Sequence, residues 1–211
     1  MKLIKPSYQI LTEINSNTIL SSIERAGRTC YKSEDKITPD SAEKFIKMII
    51  DKGHESVLEH EKLTVLFVCD RGVSHELVRH RIASFSQEST RYCNYSSEKF
   101  GCEITCIVPP FFEENGEEVR TNDEIIWFRA MESVERAYFD LLQLGWTPQQ
   151  ARTVLPNSLK TEIVITANLR EWRTIFKQRT STAAHPQMRE LMCPLLKAFK
   201  GLIPVVFDDI K

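Results

Sequence analysis

Glycine is scarce in this sequence, which has seven glycines among its 211 residues. None of the seven forms the Gly-x-Gly-x-x-Gly pattern with which a Rossmann domain holds the pyrophosphate of a dinucleotide. The scarcity therefore argues against a Rossmann domain in this chain.

The chain also lacks a marked net charge. Its 28 basic and 29 acidic residues give a formal charge of −1 at pH 7, whereas a general nucleic-acid-binding domain more often carries a basic excess. No run of 18 apolar residues is present, so no transmembrane helix is expected. The N-terminal residues lack the apolar stretch of a signal peptide, and we expect a cytoplasmic protein.

Cysteine is present without a pattern. The six cysteines show no repeated Cys-x-x-Cys spacing, and Cys102 and Cys106 have no matching second pair, so we expect no metal site. In a cytoplasmic chain they are expected to be free thiols that serve mainly in packing.

Hydrophobic periodicity predicts a mixed α and β chain. With no Pro-, Gly- or Ser-rich linker, we expect one α+β domain over residues 1–211. Strands are expected over 7–14 (at a sheet edge), 63–69, 103–108 and 160–167, and a solvated acidic loop over 113–118. In the first part of the chain, helices are expected from Asn15 or Ser16 to about Cys30, from Thr38-Pro39 to Gly53, and as a short turn at 56–59. A long helix is expected over 123–144, with Ile126 and Leu144 in its buried stripe. Further helices are expected after Thr147-Pro148, over 169–180, and from Pro186 with a kink or break at Pro194.

The stretch from Arg79 to Arg91 concentrates the candidate functional groups, with three arginines, a histidine, three serines, a threonine and a glutamine. A helix capped by Asp70 is predicted to end here, where its dipole favours cations, and the Ser-rich residues beyond it are predicted to form a loop. Guanidinium groups beside hydroxyls suit a phosphate ligand. Arginine-rich helix ends are also common on solvated surfaces.

The whole string is more specific than its composition, because Arg79-His80-Arg81 is followed by seven residues and then by Ser89. In this it resembles the flavin-dependent thymidylate synthases. The resemblance implies a mostly antiparallel α+β fold of the thymidylate synthase-complementing type, and methylation of dUMP to dTMP. It further implies methylenetetrahydrofolate as the carbon donor, FAD reduced by NADPH as the hydride donor, and a homotetramer whose sites are shared between subunits.

The resemblance also implies roles for individual residues. Arg179 would face the uracil ring as the catalytic cation. Glu76 stands where the family often has glutamine, Gln87 where it often has glutamate, and Thr174 where some members have asparagine. The dUMP-binding residues implied are Glu76, Arg79, Gln87, Ser89, Arg91, Arg152 and Arg179. The FAD-binding residues implied are His54, Ser56, Glu59, Arg79, His80, Arg81, Gln87, Asn168, Arg170 and Thr174.

Two other functions are open from the residues themselves. A nucleic-acid-binding module could use the Arg-Ser stretch on phosphates, but the arginines are not interleaved with aromatic residues. A metal-dependent phosphohydrolase could use the chain's histidines, but no aspartate except Asp70 lies beside them. Its histidines would be His54, His60, His75 and His80.

Overall fold

The computed structural model describes residues 1–112 and 121–211, and the acidic loop expected at 113–118 lies outside the described residues. The strands are β1 Lys2–Ile4, β2 Ser7–Ile10, β3 Lys62–Asp70, β4 Ala83–Gln87, β5 Thr105–Ile107 and β6 Lys160–Asn168. The helices are α1 Ser16–Tyr31, α2 Ala42–Asp51, α3 Arg71–Leu77, α4 Asn122–Gln143, α5 Pro148–Ala151, α6 Leu169–Arg179, α7 Pro186–Leu202 and α8 Pro204–Phe207.

The strands form a two-stranded and a four-stranded sheet, in the orders β1-β5 and β2-β3-β6-β4. At one end of the β3–β6 pair the N–H of Leu169 bonds to the carbonyl of Glu61, and at the other the N–H of Arg71 bonds to that of Asn157. These two strands therefore run antiparallel. The predicted α+β fold with a mostly antiparallel sheet is confirmed. Strand β2 lies at an edge, as its sequence predicts.

The described chain divides into two compact units, so the expectation of one domain stays a prediction. Unit 1 comprises Met1–Ser7, Phe67–Val78 and Ser86–Ile163, and unit 2 comprises Tyr8–Leu66, Arg79–Phe85 and Val164–Lys211.

Unit 1 is built around the long helix α4. Tyr138 and Met131 of this helix are buried against Tyr95, Ile104 and Cys106. The capping box that starts the helix is formed by the side chain of Thr121 and by Glu124 in its first turn. The predicted stripe of α4 is wrong, because Ile126 and Leu144 are 68% and 78% exposed.

Unit 2 has an aromatic core formed by Trp172, Phe176, Phe199 and Phe207, whose ring centroids lie 5.2–5.8 Å apart in the contacting pairs. The indole N–H of Trp172 donates to the carbonyl of Leu63 at 3.1 Å, so this buried donor is satisfied. Helix α6, which carries several predicted site residues, is thereby fixed against the β3 strand.

Several predicted boundaries are wrong for local reasons. Helix α2 begins at Ala42, because the hydroxyl of Ser41 accepts from the N–H of Thr38 and closes a turn over the Thr38-Pro39 segment. Helix α7 is not broken at Pro194, although Pro194 removes one backbone donor from it, and a kink there stays a prediction. The Ser-rich stretch after α3 is strand β4 and not a loop.

No described helix is long and apolar enough to span a bilayer. The six cysteines are free, as expected: Cys30 and Cys102 are exposed, whereas Cys69 and Cys106 are buried. Burial raises the pKa of both buried thiols to about 12, which makes them poor nucleophiles.

Candidate functional site

The Arg-His-Arg segment lies where α3 ends and before β4 begins. The carboxylate of Asp70 accepts from the N–H of Val73 at 2.6 Å, which caps α3 as the sequence predicts. The helix ends at Leu77, so the segment follows it instead of filling its last turn. Arg79 and Arg81 are exposed, whereas His80 between them is buried. The two arginines are therefore available to a ligand, and the histidine is held by the protein.

In unit 1, a chain of hydrogen bonds holds the residues that follow β4. The hydroxyl of Ser89 accepts from the N–H of Arg91 at 3.3 Å, and Nε of Arg91 donates to Gln149 at 2.9 Å. Nη1 of Arg152 donates to the hydroxyl of Thr90 at 3.5 Å. These bonds tie the Ser89–Arg91 segment to the Gln149–Arg152 segment. Two guanidinium groups and a hydroxyl make an anion site of the kind that a phosphate monoester needs.

Gln87 is held on the same unit by two hydroxyl groups. Its Nε2 donates to Ser74 at 2.9 Å and to Thr161 at 3.2 Å, and Thr161 is fully buried. Because Nε2 is used in this way, the carbonyl oxygen is the end of Gln87 that can serve a ligand. Glu76, on α3 in the same unit, is half-buried.

In unit 2, the start of α6 and the turn at 55–60 present the residues expected at the flavin. Nη1 of Arg170 lies 2.6 Å from the carboxylate of Glu59, in a pair in which both side chains are half-exposed. Oδ1 of Asn168 caps α6 by accepting from the N–H of Glu171 at 2.8 Å. The hydroxyl of Thr174 donates to the carbonyl of Arg170 at 3.3 Å. These contacts orient two groups at the start of α6 that can donate to a ligand, the guanidinium of Arg170 and Nδ2 of the N-cap Asn168.

His54 and Ser56 begin the turn at 55–60, and both are exposed. Nδ1 of His54 lies 2.6 Å from the hydroxyl of Tyr31, and the two rings are stacked with centroids 6.5 Å apart. The spacing of Ser56 and Glu59 predicts a capping box, which is not observed, because no side chain caps this turn and Glu59 pairs with Arg170.

His80 and Arg179 lie in direct contact. Nε of Arg179 donates to Nε2 of His80 at 3.0 Å. On the other side of the ring, Nδ1 of His80 lies 3.3 Å from the carboxylate of Glu171. Burial, and then the positive charge of Arg179, lower the pKa of His80 to about 4. The ring is therefore neutral near pH 7, and its contact with Glu171 is not an ion pair.

The structure does not bring the whole predicted set into one unit. The nucleotide residues Glu76, Gln87, Ser89, Arg91 and Arg152 belong to unit 1. Every residue expected at FAD except Gln87 belongs to unit 2, as do Arg79 and Arg179. Among the described residues, no three His, Cys, Asp or Glu side chains are placed to hold a metal ion.

Three contact residues were missed by sequence reasoning. Thr90 and Gln149 hold the arginines of unit 1, and no pattern in the sequence distinguishes them. For Glu171 a signal exists: its spacing from Asn168 predicts a capping box, yet its carboxylate contacts His80. When a residue at a capping position contacts a distant side chain instead of the helix backbone, that contact indicates a role other than capping.

Comparison with known proteins identifies a family over most of this sequence. The profile of the thymidylate synthase complementing protein family matches residues 14–205. The curated flavin-dependent thymidylate synthase of a Corynebacterium aurimucosum strain is 36% identical over 200 residues, which cover 89% of this chain and 78% of that protein. The enzyme of Mycobacterium tuberculosis H37Rv is 33% identical over 202 residues, which cover 90% of this chain and 78% of that protein. The enzyme of a Geobacter sulfurreducens strain is 34% identical over 196 residues, which cover 90% of this chain and 81% of that protein.

A solved structure with the same fold is a UMP/dUMP methylase, PolB from Streptomyces cacaoi, in complex with 5-bromo-dUMP. The TM-score is 0.76 at 22% sequence identity, and the match covers 99% of this chain and 96% of that one. A second crystal structure of the same enzyme, with 5-bromo-UMP, matches with a TM-score of 0.77 at 21% identity, covering 99% and 95%.

Proposed function

The chain belongs to the thymidylate synthase complementing protein family, and we propose that it methylates dUMP to dTMP with FAD as its cofactor. The observation that carries the proposal is the extent of the match: residues 14–205 include every residue assigned above to nucleotide or flavin. The curated relatives are flavin-dependent thymidylate synthases, so this chain is an enzyme of that type and FAD is its cofactor.

We assign the dUMP phosphate and sugar to the cluster formed by Ser89, Arg91 and Arg152. The hydrogen bonds through Gln149 and Thr90 hold the two guanidinium groups before a ligand arrives. Such pre-orientation reduces the side-chain entropy that binding would otherwise cost. Glu76, Arg79 and Gln87 complete the nucleotide set, with the carbonyl oxygen of Gln87 facing the ligand.

Arg179 supplies the charge that the reaction needs at the pyrimidine ring. Uracil C5 is a poor nucleophile, and its attack requires negative charge to develop around N3 and O4. A fixed cation stabilises that charge in the manner of an oxyanion hole. Arg179 acts as this cation and not as a general base, because a guanidinium group stays protonated in proteins.

The donors of unit 2 fit the chemistry of FAD. The exposed guanidinium groups of Arg79, Arg81 and Arg170 suit a pyrophosphate and a reduced, anionic ring system, and Nδ2 of Asn168 adds a neutral donor. His54, Ser56 and Glu59 supply the turn against which Arg170 is held. When bound, the flavin supplies the hydride. The residues of the chain hold the pyrimidine ring in one orientation toward the flavin.

We also propose methylenetetrahydrofolate as the carbon donor, NADPH as the reductant of FAD, and a homotetramer with shared sites. These rest on the family alone, since no residue of this chain is assigned to the folate or to the nicotinamide.

An absorption spectrum of the purified protein with FAD, followed by NADPH with and without dUMP, tests the proposal directly. We expect a bound oxidised flavin that NADPH bleaches at a rate that changes when dUMP is present. Gel filtration of the same preparation should show a particle of about four chains. If FAD does not bind, the proposed function is wrong, and the Arg-Ser stretch becomes a candidate phosphate or nucleic-acid site whose binding should fall steeply with salt.

Replacement of Ser89 by alanine is expected to raise the KM for dUMP and to leave measurable turnover. The hydroxyl of Ser89 has one hydrogen-bond partner in the described parts of the chain, the N–H of Arg91, and no general base that could activate it. Steady-state kinetics against dUMP checks this, with Ser96→Ala on the following turn as a control. Complete loss of turnover with unchanged dUMP affinity would instead identify Ser89 as a nucleophile.

A further inference from the structure

The contact between Glu171, His80 and Arg179 has a fixed direction. A guanidinium group only donates hydrogen bonds, so Nε2 of His80 accepts from Nε of Arg179. A neutral imidazole that accepts at Nε2 carries its proton on Nδ1. The nitrogen that carries this proton lies 3.3 Å from the carboxylate of Glu171. The carboxylate therefore selects the only tautomer of His80 that can hold Arg179.

Two of the three groups, the Glu171 carboxyl and the His80 ring, are buried. Glu171 and His80 are 8% and 6% exposed. A buried carboxylate is costly unless its charge is compensated, and here a neutral ring joins it to the cation of Arg179. The pKa of the Glu171 carboxyl is raised by burial.

Helix geometry explains why a histidine is needed between the two charges. Glu171 lies in the first turn of α6 and Arg179 is its last residue. They are eight residues apart, about 12 Å along the helix axis, which is beyond the i,i+4 spacing at which helical side chains pair directly. The imidazole of His80 has a hydrogen-bonding nitrogen on each side and bridges this separation. The ends of α6 also suit the charges, since the helix dipole favours an anion at its start and a cation at its end.

We propose that Glu171 is a positioning residue for Arg179 and acts through the tautomer of His80. The proposal rests on the function proposed above, in which Arg179 stabilises charge on the pyrimidine ring. His80 then serves the reaction by holding a cation, and its buried ring is engaged on both sides by protein groups.

Glu171→Ala is expected to lower kcat for thymidylate formation by about 10- to 100-fold, because a small misplacement of a charged group is enough for such a loss. The KM for dUMP and the rate of flavin reduction by NADPH without dUMP should stay near the wild-type values. Glu171→Gln should recover most of kcat, since its Oε1 still accepts from Nδ1–H. Gln178→Ala, an exposed residue of α6 next to Arg179, is the matched control and should behave as wild type.

A second measurement determines the tautomer of His80 and does not depend on turnover. Histidine ¹⁵N spectra, with the His80 signal assigned by its loss in His80→Gln, should show a neutral ring protonated on Nδ1 in the wild type and in Glu171→Gln. Glu171→Ala should shift the ring toward the Nε2 tautomer and move the Nε–H signal of Arg179.

The two measurements separate the two proposals. If the wild type forms no dTMP, the proposed function fails, and the ¹⁵N spectra alone decide whether Glu171 sets the tautomer. If Glu171→Ala retains the full kcat, or if the His80 and Arg179 signals do not change, the positioning role is wrong. Equal losses in Glu171→Ala, Glu171→Gln and flavin reduction would indicate a general structural defect and would also overturn it.

Discussion

Arg179→Ala is expected to abolish thymidylate formation, with a loss in kcat of at least about 10²- to 10³-fold, while FAD still binds. The guanidinium of Arg179 is the cation assigned to the developing charge on the uracil ring, and alanine leaves that charge without a stabilising group. Single-turnover formation of dTMP measures the chemical step, and the flavin absorption spectrum measures cofactor binding in the same sample.

Two variants sharpen this test. Arg179→Lys keeps a positive charge but loses the Nε–H that bonds to His80 at 3.0 Å, so we expect partial and not full recovery. Lys177→Ala removes an exposed cation from the same helix and should leave turnover unchanged. Full activity in Arg179→Ala would remove this residue from the mechanism.

Arg173→Ala is expected to destabilise the protein by about 1.5–3 kcal/mol, the typical effect of losing hydrogen bonds to charged groups. The side chain of Arg173 is 1% exposed and donates to both carboxylate oxygens of Asp209 at 2.7 Å, to Glu55 at 3.1 Å and to the carbonyl of Val206. Its removal takes the bound guanidinium from Asp209, leaves Glu55 with Lys177 at 3.9 Å as its remaining cation, and leaves a space in the core beside α6. Urea unfolding of the flavin-free protein measures the free energy of unfolding.

Arg170→Ala is the matched control, since Arg170 lies on the same helix and pairs with Glu59 at the surface. An exposed pair of this kind contributes at most about 1 kcal/mol. Equal destabilisation by the two substitutions would contradict the importance of burial at Arg173.

The pH dependence of the Arg173 contribution follows from its main partner. The hydrogen bond from Arg173 lowers the pKa of Asp209 below its ordinary value. A carboxyl whose pKa is lower in the folded than in the unfolded protein adds stability above its unfolded pKa. This stability is lost as the pH falls through the folded pKa, so the difference between wild type and Arg173→Ala should shrink in acid.

The sequence predicted those elements whose signals are local. Asp70 and Asn168 were recognised as helix caps, and Asn15 was one of two candidates for the cap of α1; each accepts from the backbone N–H three residues later. Strand β6 alternates between buried Ile163 and Ile165 and less buried neighbours, as its pattern predicts.

Other elements depend on contacts that a local pattern does not record. Strand β1, Lys2–Ile4, was missed because three residues form a strand only when β5 is available to pair with them. Strand β4 was interpreted as a loop because serine favours turns, although Ala83, Phe85 and Gln87 alternate with exposed Ser84 and Ser86. Its pairing in the sheet outweighs the turn preference of serine.

The residues of the candidate site likewise fall into those that the sequence indicated and those that only the structure shows. The roles of Ser89, Arg91 and Arg179 were implied by the resemblance to a family, since no periodicity or spacing assigns a role to an individual arginine. The contact of Glu171 with His80 was found only from the structure, because it joins residues 91 positions apart in the sequence.

The distribution of thiols makes it possible to label this protein at chosen sites. The two exposed cysteines lie in different units, Cys102 in unit 1 and Cys30 in unit 2, while burial raises the pKa of Cys69, Cys93 and Cys106. Maleimide reagents react with thiolates that solvent can reach. Once the half-buried Cys193 is replaced by serine, a further Cys30→Ser or Cys102→Ser substitution directs a spectroscopic label to one unit, without touching any residue assigned to nucleotide or flavin.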